Sequence, residues 1–307
     1  MKWKTEIANC TICNDYNVEI LFTKNSFEYV KCKKCRLVFS SPRLTPDEVR
    51  KIYSIGFDYK MKKKDNESDS SKYYSLIKTF EKYRKKNRIL DIGCFNGTFL
   101  KGTKDYDWDI FGTEISSEVI SYAEKNTNGG DIRLGELEEI GFPDNYFDVI
   151  VMLDVIEHLQ DPLKTLNEVN RILRSKGLLY FDTPNFNSCE RLLLKEKLHT
   201  IFPWHFYYFS DKTITTLLER CDFNIVKIKT RGFGTFSQYD PLKNLIKESK
   251  ISDSSKQENM FVRALKKSKL IVNIYRKIDN SIFYIFSIFS KVGLNFGAHL
   301  IVYSEKK

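Results

Sequence analysis

Apolar positions along the chain fall into short runs whose period changes from place to place, and the changes mark out its elements. The run Phe147 to Leu153 has only Asp148 to interrupt it and predicts a buried strand ending at Leu153. Arg88 to Leu90, Asp109 to Thr113, Asp131 to Leu134 and Gly177 to Asp182 predict four more strands, and Phe223 to Lys229 a sixth. Between them the spacing turns helical, through Leu76, Ile77, Phe80 and Tyr83, over Ser116 to Asn126, and through Leu166, Val169, Ile172 and Leu173. Strands alternating with helices predict an α/β fold with a doubly wound, Rossmann-like parallel sheet. A seventh strand, Ala298 to Tyr303, returns to the sheet after a helical insertion over 233–296.

The N-terminal stretch has a different period. Val18, Ile20 and Phe22, then Phe27, Tyr29 and Val30, alternate as a hairpin does, and Cys10-x-x-Cys13 and Cys32-x-x-Cys35 bracket that hairpin. Two such knuckles bring four thiolates to one tetrahedral Zn²⁺. Four protein ligands leave no open position, so the expected zinc is structural. The predicted boundaries are a zinc ribbon over 1–44, a helical connector and linker over 45–86, a cofactor domain over 87–232, the insertion, and a final strand over 297–307. Thr45, Pro46 and Glu48 predict a capping box opening the connector helix.

The chemistry gathers at the strand ends. Asp91-x-Gly93-x-x-x-Gly97 follows the first strand of the cofactor domain, and about twenty residues on, the ribose-binding spacing of a βαβ unit, Glu114 closes the next strand. The dinucleotide pattern G-x-G-x-x-G is absent. The acidic residue, the two glycines and the strand-end Glu114 resemble motif I and its neighbour in the class I S-adenosylmethionine-dependent methyltransferases, and the resemblance covers Asn87 to about Thr230. It implies a seven-stranded sheet, six strands parallel and the last antiparallel, with S-adenosylmethionine held by Asp91, Gly93, Gly97 and Glu114. Leu153 would join them, and Glu136, in the loop after the third strand, would lie against adenine.

Beyond Leu153 the chain reads Asp154-Val-Ile-Glu157-His158, for which three readings stand. His158 suits a general base near neutral pH. Asp154, Glu157 and His158 together suit a divalent cation, since the segment resembles the D/E-x-x-E-H of some quinone-biosynthesis O-methyltransferases. Alternatively, Glu157 and His158 cap and orient the next helix. Pro203 to Ser210 resembles the P-x-H-x-x-x-F-S segment of methyltransferases acting on sugars, lipids and other small metabolites, where His205 would take a proton from a hydroxyl or simply pack with its aromatic neighbours.

A net charge of +10 allows an anionic partner, nucleic acid or lipid. No apolar N-terminal run announces a signal peptide, so a cytoplasmic start is expected. Ile271, Ile274, Ile278, Ile282, Ile285 and Phe289 form a helical stripe beside Lys266, Lys267 and Lys269, while the uncharged run Asn280 to Ser290 falls short of the ~20 residues a bilayer span needs. That pattern fits a helix lying on the inner face of an anionic membrane, or one packed on its own domain or a second subunit. The expected function is methyl transfer to a hydroxyl or carbon of a small-molecule acceptor, a sugar or lipid-linked glycan intermediate of surface-polysaccharide biosynthesis. An RNA methyltransferase is the alternative, but Asp154-Val-Ile-Glu157 is not the N/D-P-P-Y of amino-base methylation, and nucleic acid is not the expected partner. A non-catalytic scaffold that still binds the cofactor is the third.

Overall fold

Short, β-rich segments build the N-terminal part of the computed structural model, which describes residues 3–52, 69–198, 200–231 and 296–307. Strand β1 (Thr5–Glu6) pairs antiparallel with β5 (Arg43–Leu44), while β2 (Val18–Lys24), β3 (Phe27–Cys32) and β4 (Val38–Ser40) form an antiparallel meander. Phe22 stacks on the fully buried Tyr29 with ring centroids 4.8 Å apart, a cross-strand pair of the kind that holds such ribbons together. Helix α1 begins at residue 46 and is described to residue 52. The predicted capping box does not form. The Thr45 hydroxyl is buried without a partner, and the Glu48 carboxylate accepts from Lys51 Nζ at 2.9 Å instead of reaching back. Pro46, with its φ preset for a first helical turn, starts the helix unaided.

Helix α2 (Tyr74–Phe80) continues into a 3₁₀ turn over Glu81–Tyr83. Its apolar face, Ile77 and Phe80, is buried with Phe99, Leu100, Trp108 and Tyr180 in one core cluster. Then the central sheet begins, with β6 (Arg88–Ile92), α3 (Thr98–Lys104), β7 (Asp109–Glu114), α4 (Ser117–Thr127), β8 (Asp131–Leu134), α5 (Leu137–Ile140), β9 (Phe147–Leu153), α6 (Pro162–Ile172) and β10 (Leu173–Pro184). Helix α7 (Cys189–Leu194), α8 (Asp211–Arg220), β12 (Phe223–Arg231) and β13 (His299–Lys306) follow, while β11 (Tyr207–Tyr208) joins the N-terminal meander beside β4.

The seven-stranded sheet has the order β12-β13-β10-β9-β6-β7-β8, mostly parallel with one antiparallel strand. The chain leaves β6 for β7 and β8 on one side, then returns to β9 and β10 on the other. The strand order reverses between β6 and β9, and ligands of such sheets bind beyond the C-terminal strand ends at that switch. Every residue of β9 except Leu153 is buried, the signature of a strand covered on both faces.

Strand β10 starts earlier than its apolar run. Helix α6 passes straight into it at Leu173, and the pairing with β9 shifts register between Leu173 and Leu178. Arg174 explains the gain: its Nε meets the fully buried Asp148 at 2.5 Å, and Asp148 also accepts from Lys85 and Lys86 backbone N–H groups at 3.0 and 2.6 Å. By contacts the chain divides into two compact units, Met1–Pro184 with Thr200–Ile228 and Ile301–Lys307, and Asn185–His199 with Lys229–Leu300. The helical insertion expected over 233–296, with its apolar stripe, lies outside the described residues apart from Phe296. Among the described residues no helix is long and apolar enough to cross a membrane.

Candidate active site

The loop after β6 is shaped by left-handed backbone. Gly93 has φ +68° and Gly97 φ +73°, with Phe95 at φ +49° between them. A Cβ on Gly93 would stand 2.8 Å from Val155 Cγ2, and one on Gly97 3.1 Å from the Ala123 backbone, so both glycines answer a conformational and a spatial demand. Gly93 and Cys94 N–H groups donate to the Thr113 carbonyl at 2.8 and 3.0 Å, which pins the loop to the end of β7. Asn96 Oδ1 takes the Thr98 N–H and hydroxyl at 3.2 and 2.6 Å, closing the start of α3.

Glu114 stands beside this loop, 6% exposed. Its Oε2 accepts from Phe95 N–H at 2.9 Å, and its Oε1 from the N–H groups of Ile115 and Ser116 at 2.8 and 3.0 Å. A carboxylate offers about four lone-pair positions, so roughly one remains for a ribose hydroxyl, and a second hydroxyl has to displace Phe95 N–H. Ser116 sits at the N-cap of α4 but makes no cap bond; its hydroxyl donates to Glu118 Oε2 at 2.8 Å.

Acids crowd the same strand ends. Asp91 is 2% exposed and its Oδ1 accepts no hydrogen bond. Burial, and the charges of Glu114 and Asp182, hold its carboxyl well above the ordinary range. Glu157, 1% exposed, is likewise pushed up, by burial and then by Asp154 and Asp182, against a hydrogen bond from Thr183. Buried carboxylates this close cannot all ionise unless a positive charge joins them.

A methyltransferase domain model matches residues 66–228, more than half of the 307-residue chain. The chain belongs to the methyltransferase domain family. It is 36% identical over 110 residues to an uncharacterized methyltransferase of Schizosaccharomyces pombe, covering 31% of this chain and 40% of that protein. Over 104 residues it is 30% identical to the ubiquinone biosynthesis O-methyltransferase of Cereibacter sphaeroides, covering 33% and 42%. To the tRNA U34 carboxymethyltransferase of Aliarcobacter butzleri it is 28% identical over 173 residues, covering 53% and 56%. The chain covers 40–56% of the length of these curated relatives. Among solved structures, a SAM-dependent methyltransferase of Archaeoglobus fulgidus superposes with TM-score 0.50 at 19% identity, covering 78% of this chain and 95% of that one. The [4+2]-cyclase SpnF gives 0.53 at 15%, covering 86% and 98%. These likenesses show the fold alone, and a cyclase among them shows that the fold by itself does not name the reaction.

In this methyltransferase domain the remaining expected residues are placed as follows. Leu153, half-buried at the end of β9, packs against the cluster containing Cys94 and Phe99. Glu136 is the N-cap of α5, a helix its sequence did not predict, and its carboxylate lies 3.5 Å from Arg50 Nη2 of α1. The proposed trio Asp154, Glu157 and His158 does not assemble. Asp154, at φ +54°, turns its backbone N–H onto Asp182 Oδ1 at 3.1 Å, and its charge still acts on Glu157, but it does not join a cluster of ligand atoms with Glu157 and His158 on the 3₁₀ turn over Ile156–His158. His205 takes the third place: ligand atoms of Glu157, His158 and His205 lie within 4.8 Å of one another.

The two imidazoles stand edge to face with centroids 4.4 Å apart. His158 Nδ1 donates to the Trp204 carbonyl at 2.8 Å, because a carbonyl can only accept, which makes Nε2, 4.0 Å from Glu157 Oε1, the acceptor nitrogen of the neutral ring. Glu157 Oε1 is buried without a hydrogen bond, while Oε2 accepts from the Thr183 hydroxyl at 2.9 Å. Burial holds His158 down at about 4, with Trp204 pulling weakly upward, so the ring is neutral at pH 7 and a weaker base than its ordinary value promised. Asp182 and Thr183 were not expected in the site, although they close a strand as Glu114 does.

The four N-terminal cysteines assemble, with Cys10 and Cys32 fully buried and Cys10 Sγ 3.4 Å from Cys35 Sγ. Burial and then the neighbouring Cys35 push the Cys13 thiol up to about 12.

Proposed function

We propose that the chain transfers a methyl group from S-adenosylmethionine to a hydroxyl of a small molecule, a sugar or lipid-linked glycan intermediate. One observation carries the reading: a glycine loop bonded to Glu114 stands beside Asp91, a buried carboxyl whose Oδ1 accepts no hydrogen bond. When bound, the cofactor supplies an electrophilic methyl group on a sulfonium. Glu114 would hold its ribose, the loop from Gly93 to Gly97 its amino-acid end, and Asp91 with Asp182 would balance its positive charge. On the acceptor side, Phe202 and Trp204 rings 4.7 Å apart form a half-buried platform beside His205, a surface on which a sugar face can stack.

The test follows from the raised Asp91 carboxyl. A cation favours the ionised form, so S-adenosylmethionine binding is expected to release protons and to tighten as pH rises through the range where Asp91 ionises. Calorimetry in buffers of different ionisation heat should show this release, smaller for S-adenosylhomocysteine, which lacks the sulfonium, and smaller in Asp91→Asn. Equal release for both ligands would count against the charge-balance reading.

Glu157, His158 and His205 fit a divalent cation. A His whose Nδ1–H is spoken for by a carbonyl and whose Nε2 faces a bare carboxylate oxygen is oriented as metal-ligating histidines are. Such an ion would lower the pKa of a bound hydroxyl. Mn²⁺ is expected to bind one per chain, and Glu157→Gln to weaken it by on the order of 100-fold; failure of Mn²⁺ to bind would overturn the cation reading. Cys10, Cys13, Cys32 and Cys35 would hold a structural Zn²⁺.

A further inference from the structure

Arg43 belongs to the N-terminal module by sequence, yet its guanidinium reaches the chain beside both histidines. Its side chain is 14% exposed. Nε and Nη2 lie 2.9 Å from Glu6 Oε1, so one edge of the fork is anchored within the module. Nη1 donates to the Gln160 carbonyl at 2.7 Å and to the Tyr207 hydroxyl at 3.1 Å, and the Tyr207 hydroxyl donates to the same carbonyl at 3.2 Å. The guanidinium carbon lies 5.4 Å from the centroid of the fully buried Phe206 ring. Gln160 is two residues past His158, and Tyr207 two residues past His205. One cation therefore joins the two segments that deliver the two imidazoles.

The backbone reinforces the connection. Strand β11 pairs with β4, Tyr207 opposite Phe39 and Tyr208 opposite Val38. Ser40 N–H donates to the Phe206 carbonyl at 2.9 Å, and Phe206 N–H donates to the Glu157 carbonyl at 2.8 Å. The segment carrying His205 is thus an edge strand of the cysteine module's sheet on one side and a partner of the Glu157 turn on the other. Arg43 sits at that junction with a planar fork that a lysine does not reproduce.

We propose that Arg43 is a positioning residue for the imidazole pair, fixing how His158 and His205 stand against each other by holding the chain beyond each of them. The inference rests on the reading of those histidines as the acceptor side of the site. It assigns the N-terminal module a part in shaping that side, with no part in the cofactor cradle built on β6 and β7.

The experiment is NMR of the full, zinc-replete chain labelled at histidine, at one fixed pH. The chain has four histidines, and His158→Gln and His205→Gln spectra assign the two that matter. In the native chain, rings this close shift each other's signals. Arg43→Ala is expected to move both sets toward those of free histidine while S-adenosylhomocysteine affinity stays within about twofold, as for sites that share no partners. Arg43→Lys, which keeps the charge and loses the fork, should give an intermediate shift. Unmoved histidine signals in folded Arg43→Ala would overturn the proposal and leave Arg43 a staple of the module. Should that variant fail to fold, Tyr207→Phe removes only the shared hydroxyl, and unmoved signals in it and in Arg43→Lys overturn the proposal equally. Failure of the native chain to bind S-adenosylhomocysteine would count against the cofactor reading and not against this one.

Discussion

Cys32→Ser is expected to release the zinc and unfold the N-terminal module. A module of this size buries too little apolar surface to fold alone, and structural zinc in comparable small sites contributes on the order of 10 kcal/mol. Cys32 is fully buried at the end of β3, so serine there removes a ligand and also leaves a hydroxyl without water. The expected readouts are loss of one equivalent of zinc and cleavage of residues 3–44 by trypsin, which has Lys31, Lys33, Lys34 and Arg36 to act on. Damage should spread to His205 through the pairing of β4 with β11, and stop short of the cradle at β6 and β7. Cys189→Ser, a half-buried cysteine outside the cluster, should leave zinc and module intact. Retention of zinc and of trypsin resistance in Cys32→Ser would sink the metal assignment.

The central sheet was legible because parallel strands buried on both faces have to be apolar without interruption, and Phe147 to Leu153 can be little else. The turn after β6 was legible for a related reason: Gly93 and Gly97 are required by backbone geometry, and that demand is written into the residue type. What the sequence concealed depends on partners far along the chain. Leu173 to Lys176 looks like the fraying end of a helix until Arg174 is matched with Asp148. Thr45 and Glu48 carry a capping signature, but Lys51 outbids Thr45 for the carboxylate. Pairing of Tyr207 and Tyr208 with β4 has no period to announce it, since two residues in an aromatic run show neither alternation nor helical spacing. The grouping beyond Leu153 was the least legible. Asp154, Glu157 and His158 are neighbours in sequence, yet the ligand atoms that cluster are those of Glu157, His158 and His205.

Glu114→Gln is expected to weaken S-adenosylmethionine and S-adenosylhomocysteine alike, by on the order of 100-fold or more. Hydrogen bonds to a charged group contribute about 1.5–3 kcal/mol each, and two ribose hydroxyls would lose the charged acceptor. The substitution also acts before any ligand arrives. Three N–H groups point at the carboxylate, and an amide has one oxygen to offer them. If that oxygen stays with Ile115 and Ser116, the amide NH₂ faces Phe95 N–H, donor against donor, and the left-handed loop around Phe95 loses its tether. Asp at this position keeps the charge on a stem one methylene shorter, so Glu114→Asp should lose less affinity than Glu114→Gln if charge dominates, and more if reach does. Calorimetric titration of both variants separates the two causes, and the same loss for both ligands separates ribose binding from the sulfonium effect assigned to Asp91. Native affinity in Glu114→Gln would place the ribose elsewhere and remove the central support for a cofactor at these strand ends.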